Sequence, residues 1–246
     1  MIELLNVNCM DYMKNCNDKS FDLAIVDVPY GIGESSNDNA GRSCLAKSKN
    51  YGKKDWDNEP PSDEYFKELI RVSKNQIIWG ANHFISRIPY DSSCWLVWDK
   101  DNGENDFADC ELAWTSFKTA VRKIKFKWHG MLQQDMKNKE IRIHPTQKPV
   151  GLYNWIYTNY ADVKGLKILD THLGSGSSAI SAYYFDLNFV GCEIDKEYFD
   201  AMQKRYKEVT AQTKLFPELS EEEKFIPCGE GENICNCKNK NECGYN

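Results

Sequence analysis

The sequence predicts an α/β fold, a mostly parallel sheet with helices on both faces, and three observations predict it. Short apolar runs alternate with helical patterns along most of the chain, the habit of strands joined through covering helices. One run, Ile168-Leu169, enters the glycine-rich turn Asp170-Thr171-His172-Leu173-Gly174-Ser175-Gly176 and leaves as a helix. Another, Leu23-Ala24-Ile25-Val26, stops at Asp27-Val28-Pro29-Tyr30-Gly31, a turn at the strand end where open α/β sheets bind ligands. With 246 residues, 41% hydrophobic and 28% charged, the chain is long enough for one main domain with a sizeable core.

The elements follow in order. Strands are expected over Ile2–Asn6, Phe21–Val26, Gln76–Trp79, Ser93–Trp98, Glu111–Thr115, Leu166–Leu169 and Asn188–Cys192, each a short apolar run closed by turn residues. Helices are expected over Asp63–Ser73, with Ser62 as N-cap, and over Pro149–Tyr160, with Pro149 in the first turn. Two more are expected over Ser177–Phe185 and Lys196–Lys207. Between Gly31 and Pro61 the chain is polar and lacks either period, so an active-site loop is expected there, a surface insertion being the plainer alternative. The expected organisation is one domain over residues 1–216, containing that loop and a small basic segment at 117–142, then an acidic, cysteine-containing tail over 217–246.

Charge is distributed unevenly. The net charge is -6, yet Phe117 to Lys148 holds nine Lys and Arg against two acids, net +7, whereas Glu218 to the end carries seven Glu against three Lys, net -4. A nucleic-acid backbone therefore fits the middle of the chain and not its tail. Within the basic segment, Arg122, Lys123, Lys125, Lys127 and Trp128 are the expected DNA contacts, with Phe126 and His129 interleaved; a hairpin that binds phosphates without reading bases is the alternative. No apolar stretch approaches a bilayer's thickness, and Met1-Ile2-Glu3 does not open an export signal, so a cytoplasmic location with reduced thiols is expected. Cys228, Cys235, Cys237 and Cys243 in the tail contain no Cys-x-x-Cys knuckle; no metal is expected, a structural zinc being the alternative.

Three segments carry chemistry. An exocyclic amine on an aromatic base is a poor nucleophile because its lone pair is delocalised, and acceptors aimed at its two hydrogens localise that pair. The Asp27 carboxylate and the Pro29 carbonyl are placed to be those acceptors, and Tyr30 to stack on the base; the same residues also suit a plain chain reversal. In the second segment Asp170, His172, Gly174, Ser175 and Gly176 let a cofactor approach the backbone, while Glu193 accepts ribose hydroxyls. The pattern implies an adenosine-containing cofactor, and its Gly-x-Gly-x-x-Ala spacing leaves an NAD-dependent oxidoreductase open. In the third, His144-Pro145-Thr146-Gln147-Lys148-Pro149, Thr146 and Lys148 present donors at the positive end of the following helix, where a methionine carboxylate can sit.

Together, in this order, the three segments resemble the DNA amino-methyltransferases, in the permuted arrangement called the beta class, where the catalytic tetrapeptide precedes the cofactor motif. Ile77-Ile78-Trp79-Gly80-Ala81-Asn82-His83, Trp98-Asp99-Lys100 and Cys110-Glu111-Leu112-Ala113-Trp114 are similar to the family's intermediate blocks, so the resemblance runs to about Tyr206. It implies a Rossmann-like S-adenosylmethionine-dependent methyltransferase fold, DNA as partner, base flipping, and self-association as a homodimer. Asp27 heads the tetrapeptide as in the family's adenine enzymes, which implies transfer to adenine N6; an amino-cytosine (N4) enzyme or a non-catalytic DNA-binding protein are the alternatives. The chain departs from the pattern at Val28, where the family has a second proline, and at Thr171-His172, where it has Pro-Phe. Only one strand and one long helix follow the glycine turn, too few for a dinucleotide fold opening there, so the missing strands must come from the N-terminal half. That places the strand ending at Asp27 beside the strand ending at Asp170.

Overall fold

The computed structural model describes residues 1–33, 54–103, 108–129 and 132–211. Positions 34–53 of the expected loop and the tail with its four cysteines lie outside the described residues.

Eight strands form one sheet: β1 (Ile2–Leu5), β2 (Phe21–Val26), β3 (Ser73–Trp79), β4 (Trp95–Asp99), β5 (Cys110–Thr115), β6 (Arg122–Lys125), β9 (Lys167–Asp170) and β10 (Asn188–Cys192). Two short strands, β7 (Trp128–His129) and β8 (Leu132–Gln133), pair apart from it. The sheet order is β1-β10-β9-β2-β3-β5-β4-β6, and β5 alone runs against its neighbours. Among the described residues five α-helices accompany it: α1 (Cys9–Lys14), α2 (Asp63–Val72), α3 (Val150–Tyr160), α4 (Ser177–Tyr184) and α5 (Lys196–Ala211).

The central strands read as continuous apolar runs because both of their faces are covered. Along β2, Leu23 and Ile25 join a cluster with Leu152 and Ile156 of α3, Ala179 of α4 and Met202 of α5. The alternate residues Ala24 and Val26 join a second cluster with Met13 of α1 and Phe66 and Leu69 of α2. The connection leaving β2 thus carries α2 over one face on its way to β3, and the connection leaving β9 carries α4 over the other on its way to β10. Adjacent parallel strands whose crossovers depart in opposite directions leave a crevice beyond their carboxyl ends. β2 and β9 are such a pair, in the register Leu23 to Ile168 and Ala24 to Leu169.

All seven expected strands and four expected helices are present, with ends displaced by four residues at most. Four of the strands and helices above were not legible. Helix α1 is six residues long and is started by Asn8, whose side chain accepts from the Met10 amide. β6 reads Arg-Lys-Ile-Lys and buries only Ile124, the charged character of an edge strand. The β7–β8 pair is too short to carry a period. Ser62 is the N-cap of α2 as expected, without a side-chain cap bond, and one helix start is corrected: Pro149 is the N-cap one residue before α3 rather than a member of its first turn. Among the described residues no helix is long and apolar enough to cross a membrane. No cluster of three or more His, Cys, Asp or Glu there could hold a metal ion.

Ile77 is fully buried in β3, whereas Ile85 is largely exposed. Ile77→Ala should therefore cost about 2–5 kcal/mol in urea denaturation. Ile85→Ala should stay within about 0.5 kcal/mol of the parent.

Candidate active site

β2 and β9 end side by side, so the Asp27 turn and the glycine turn open onto the same crevice. Asp27 Oδ1 accepts from Lys148 Nζ at 2.5 Å and from the Tyr30 hydroxyl at 2.9 Å. Lys148 Nζ also meets Glu111 Oε2 at 3.0 Å and donates to the Tyr30 hydroxyl at 3.1 Å, which engages all three of its donors. Lys100 completes the row, with Nζ 2.6 Å from Glu111 Oε1. Charges thus alternate along Asp27, Lys148, Glu111 and Lys100. Asp27 Oδ2 accepts no hydrogen bond among the described residues.

The two carboxyls respond oppositely to this setting. Burial raises the Asp27 pKa; Lys148 opposes that rise and the nearby Glu111 charge adds to it, so Asp27 stands above the ordinary carboxylate range. Burial also works against Glu111, but two ammoniums, Lys148 and Lys100, outweigh it and hold the group down at about 2. Burial likewise disfavours the Lys148 charge, yet Asp27 and Glu111 together keep its pKa above that of a free lysine.

The Tyr30 ring fits because Gly80 lacks a side chain: a Cβ there would lie 2.0 Å from the ring, and the glycine adopts φ +70°. His83 stacks on Tyr30 with centroids 5.1 Å apart and planes 16° from parallel. The backbone of the turn is gripped from across the polar loop, since the amides of Tyr30 and Gly31 both donate to Asp57 Oδ1, at 2.8 and 2.9 Å. The Gly33 amide donates to the Asp57 carbonyl, closing the neck of that loop.

On the other side of the crevice, Glu193 Oε2 accepts from the Gly174 amide and Oε1 from the Asp195 amide, both at 2.9 Å. Each oxygen retains capacity for a further donor. Asp170 is buried and knits the turn together, accepting from the His172 amide and the Ser178 hydroxyl; burial raises its pKa to about 7. His172 packs edge-on against Tyr65, with its pKa lowered to about 4 by burial, so the ring is neutral at neutral pH. Gly176, at φ +72°, caps α4 where a Cβ would strike Met202 at 2.5 Å. The His144 ring lies over Gly174, packs against Trp56 and Tyr198, and hydrogen-bonds Thr146 through Nδ1 at 3.2 Å. Lys54 reaches the same side, pairing with Asp195 at 2.6 Å.

Two sets of residues picked from the sequence have partners within the protein that the sequence did not suggest. The amino end of α3 already holds a carboxylate of the protein: Glu140 Oε1 accepts from the Val150 amide at 2.9 Å, while its Oε2 pairs with Arg205 at 2.6 Å. Lys148, expected as a cofactor contact there, is turned to Asp27 instead, and Thr146 is turned to His144. Arg205 continues to the Ser175 carbonyl and the Ser177 hydroxyl, tying α5 to the glycine turn. Trp128, expected to contact DNA, is 5% exposed, donates its indole N–H to the Gln147 carbonyl and carries Arg142 on its ring. Its indole is thus held inside the protein rather than presented on the surface. Arg122, Lys123 and Lys125 do stand exposed on β6. Lys123 pairs with Asp99, and Lys125 and Lys127 pair with Asp101; such surface pairs contribute little and exchange readily for phosphate.

Glu111, Lys100, Asp57, Glu140 and Arg205 were assigned no role from the sequence. Only Glu111 leaves a trace there, a lone acid in the otherwise apolar Glu111-Leu112-Ala113-Trp114.

The family model described as DNA methylase matches residues 97–204. The chain is 29% identical to the type II methyltransferase M2.MboI of Moraxella bovis over 241 residues, 82% of this chain and 86% of that protein. It is 23% identical to the type II methyltransferase M.HinfI of Haemophilus influenzae, covering 84% of this chain and 68% of the relative. Among solved structures, M1.HpyAVI in complex with SAM shares the fold, with a TM-score of 0.54 at 21% identity over 83% of this chain and 98% of that one.

Arg205 and Glu140 form a largely buried pair that joins α5 to the start of α3. Arg205→Met should cost about 3 kcal/mol by leaving a carboxylate uncompensated, and the double change Arg205→Met/Glu140→Met should recover part of that loss. Denaturant unfolding of the four proteins of the cycle measures the coupling.

Proposed function

We infer that this chain is a DNA amino-methyltransferase that moves a methyl group from S-adenosylmethionine to the exocyclic amine of a base in DNA, and that the base is adenine. The observation that carries the reading is the side-by-side ending of β2 and β9, with an open carboxylate oxygen on Asp27 and Glu193 across the crevice. Asp27 as first residue of the tetrapeptide supports adenine over cytosine.

The residues present fit the cofactor. Glu193 stands at the strand end with unused acceptor capacity for ribose hydroxyls, and beside it Ile194 is 65% exposed, an apolar side chain free to cover a purine face. Gly174 and the neutral rings of His144 and His172 line the approach to the crevice. When bound, S-adenosylmethionine supplies an electrophilic methyl group.

The protein's part is to orient and polarise the amine. A flipped adenine presents its amino group to Asp27 Oδ2 and the Pro29 carbonyl, which accept its two hydrogens and localise the nitrogen lone pair. Tyr30 stacks on the base once His83 yields its place on the ring. Asp27, already held above the ordinary carboxylate range, takes up the proton the amine releases and returns it to water. Asp57 keeps the turn from swinging as the base enters.

Arg122, Lys123 and Lys125 on the edge strand β6, with Lys127 just after it, bind phosphates. The basic segment is short for reading a site, and a second copy of the chain in a homodimer supplies further DNA contact. The catalytic unit spans residues 1–216, and it works in the cytoplasm.

Unmethylated DNA incubated with the protein and methyl-labelled S-adenosylmethionine, then digested to nucleosides, should yield N6-methyldeoxyadenosine. A labelled cytosine would move the reading to N4, and no label would overturn it. Asp27→Ala should lose about 10²–10³-fold or more in turnover while calorimetry shows cofactor binding intact. Replacing both Lys123 and Lys125 with Ala should flatten the dependence of log Kd on log salt by about two units of slope.

A further inference from the structure

Lys148 and Glu111 stand outside the group of residues that touch a base or a cofactor in the reading above, yet they are the most deeply engaged charges of the site. The Lys148 side chain is 4% exposed, its ammonium is shared among Asp27, Glu111 and Tyr30, and the rings of Tyr30 and Trp79 lie 5.5 Å from it. Glu111 is fixed by a second cation, Lys100. Burying a lysine between two carboxylates is costly unless every charge is matched, and here each is. The arrangement has a directional result. Lys148 and Tyr30 both occupy Oδ1 of Asp27, so the carboxylate cannot rotate freely, and Oδ2 is left as the only oxygen facing an incoming amine.

We propose that Lys148 and Glu111 are positioning residues of the methyl transfer: Lys148 locks the rotation and the charge of Asp27, and Glu111, held by Lys100, locks Lys148. The proposal rests on the reading of Asp27 as the acceptor for the target amine. It assigns Lys148 to the catalytic carboxylate and removes it from the cofactor's carboxylate, for which it has no donor to spare.

The groups facing Asp27 are Lys148 on the segment before α3, Glu111 on β5, Tyr30 on its own turn, Tyr153 on α3 and Asp170 on β9. Among these Lys148 is the sole cation. Without it, Asp27 and Glu111 become two close carboxylates with no charge between them, and Asp27 must hold its proton to higher pH. Without the Glu111 charge the repulsion disappears and Asp27 ionises more easily. Asp27 acts as an ionised acceptor, so activity is present above its pKa and lost as pH falls through it. Lys148→Met should therefore move the acid limb of the kcat–pH profile up by about one unit or more, and Glu111→Gln should move it down. Lys148→Arg, which keeps the charge, should hold the limb near its original place with reduced kcat, since a planar fork cannot serve three partners in the same geometry. KM for S-adenosylmethionine should not change in any of the three.

The same displacements should appear without turnover, in a 13C titration of aspartate-labelled, cofactor-free protein, with the Asp27 resonance identified by its loss in Asp27→Asn. That readout separates the proposal from the assigned reaction: an inactive parent chain whose Asp27 resonance still shifts as described would sink the reaction and keep the lock. Limbs that stay in place, limbs that move the same way in Lys148→Met and Glu111→Gln, or a rise confined to KM for the cofactor would each overturn the lock. Thermal melts of every variant identify any that fail to fold, and Glu111→Gln, the mildest change, carries the test should Lys148→Met be lost.

Discussion

The parallel pairing of β2 with β9 is the constraint on which the site depends. Those strands are separated by some 140 positions of chain, and neither motif has meaning without the other. Their crossovers depart to opposite faces of the sheet. The apolar run of β2 is what fixes this, because Leu23 and Ile25 must find α3, α4 and α5 while Ala24 and Val26 find α1 and α2. Moving the strand by one residue would exchange those two sets and turn Asp27 away from the crevice.

The sheet was legible because its signals are local. Apolar runs, a glycine turn and a proline turn mark strand ends within a few residues, and the count of elements after the glycine turn required β2 to lie beside β9. The departures have a common cause. Asp57, Glu140 and Arg205 act through partners 10 to 65 positions away, and no spacing rule connects such pairs. Lys148 shows the limit most sharply. Its position before a helix suggested service to an external carboxylate, but the helix end was already occupied by Glu140, and the lysine was drawn to the nearest buried carboxyls. Trp128 erred in the same direction: an aromatic among lysines resembles a nucleic-acid contact, whereas its indole is a pillar under Gln147.

The electrostatics divide into an interior and a surface that work by different rules. Inside, each charge has a fixed partner, so Glu111 stays ionised to about pH 2 while Asp27, with one cation rather than two, does not. On β6 the lysines hold aspartates that water and salt can displace. A polyanion can recruit the second set without disturbing the first, which reconciles an acidic protein with a nucleic-acid substrate.

The Asp57 grip on the Tyr30 and Gly31 amides, with Gly33 bonded to the Asp57 carbonyl, makes the two stems of the intervening stretch a clasp. The entropic penalty of closing a ring grows only with the logarithm of its length, about 0.6 kcal/mol for each doubling. A change of length between positions 33 and 54 therefore carries only a small closure cost, set against the two amides of the catalytic turn that Asp57 holds.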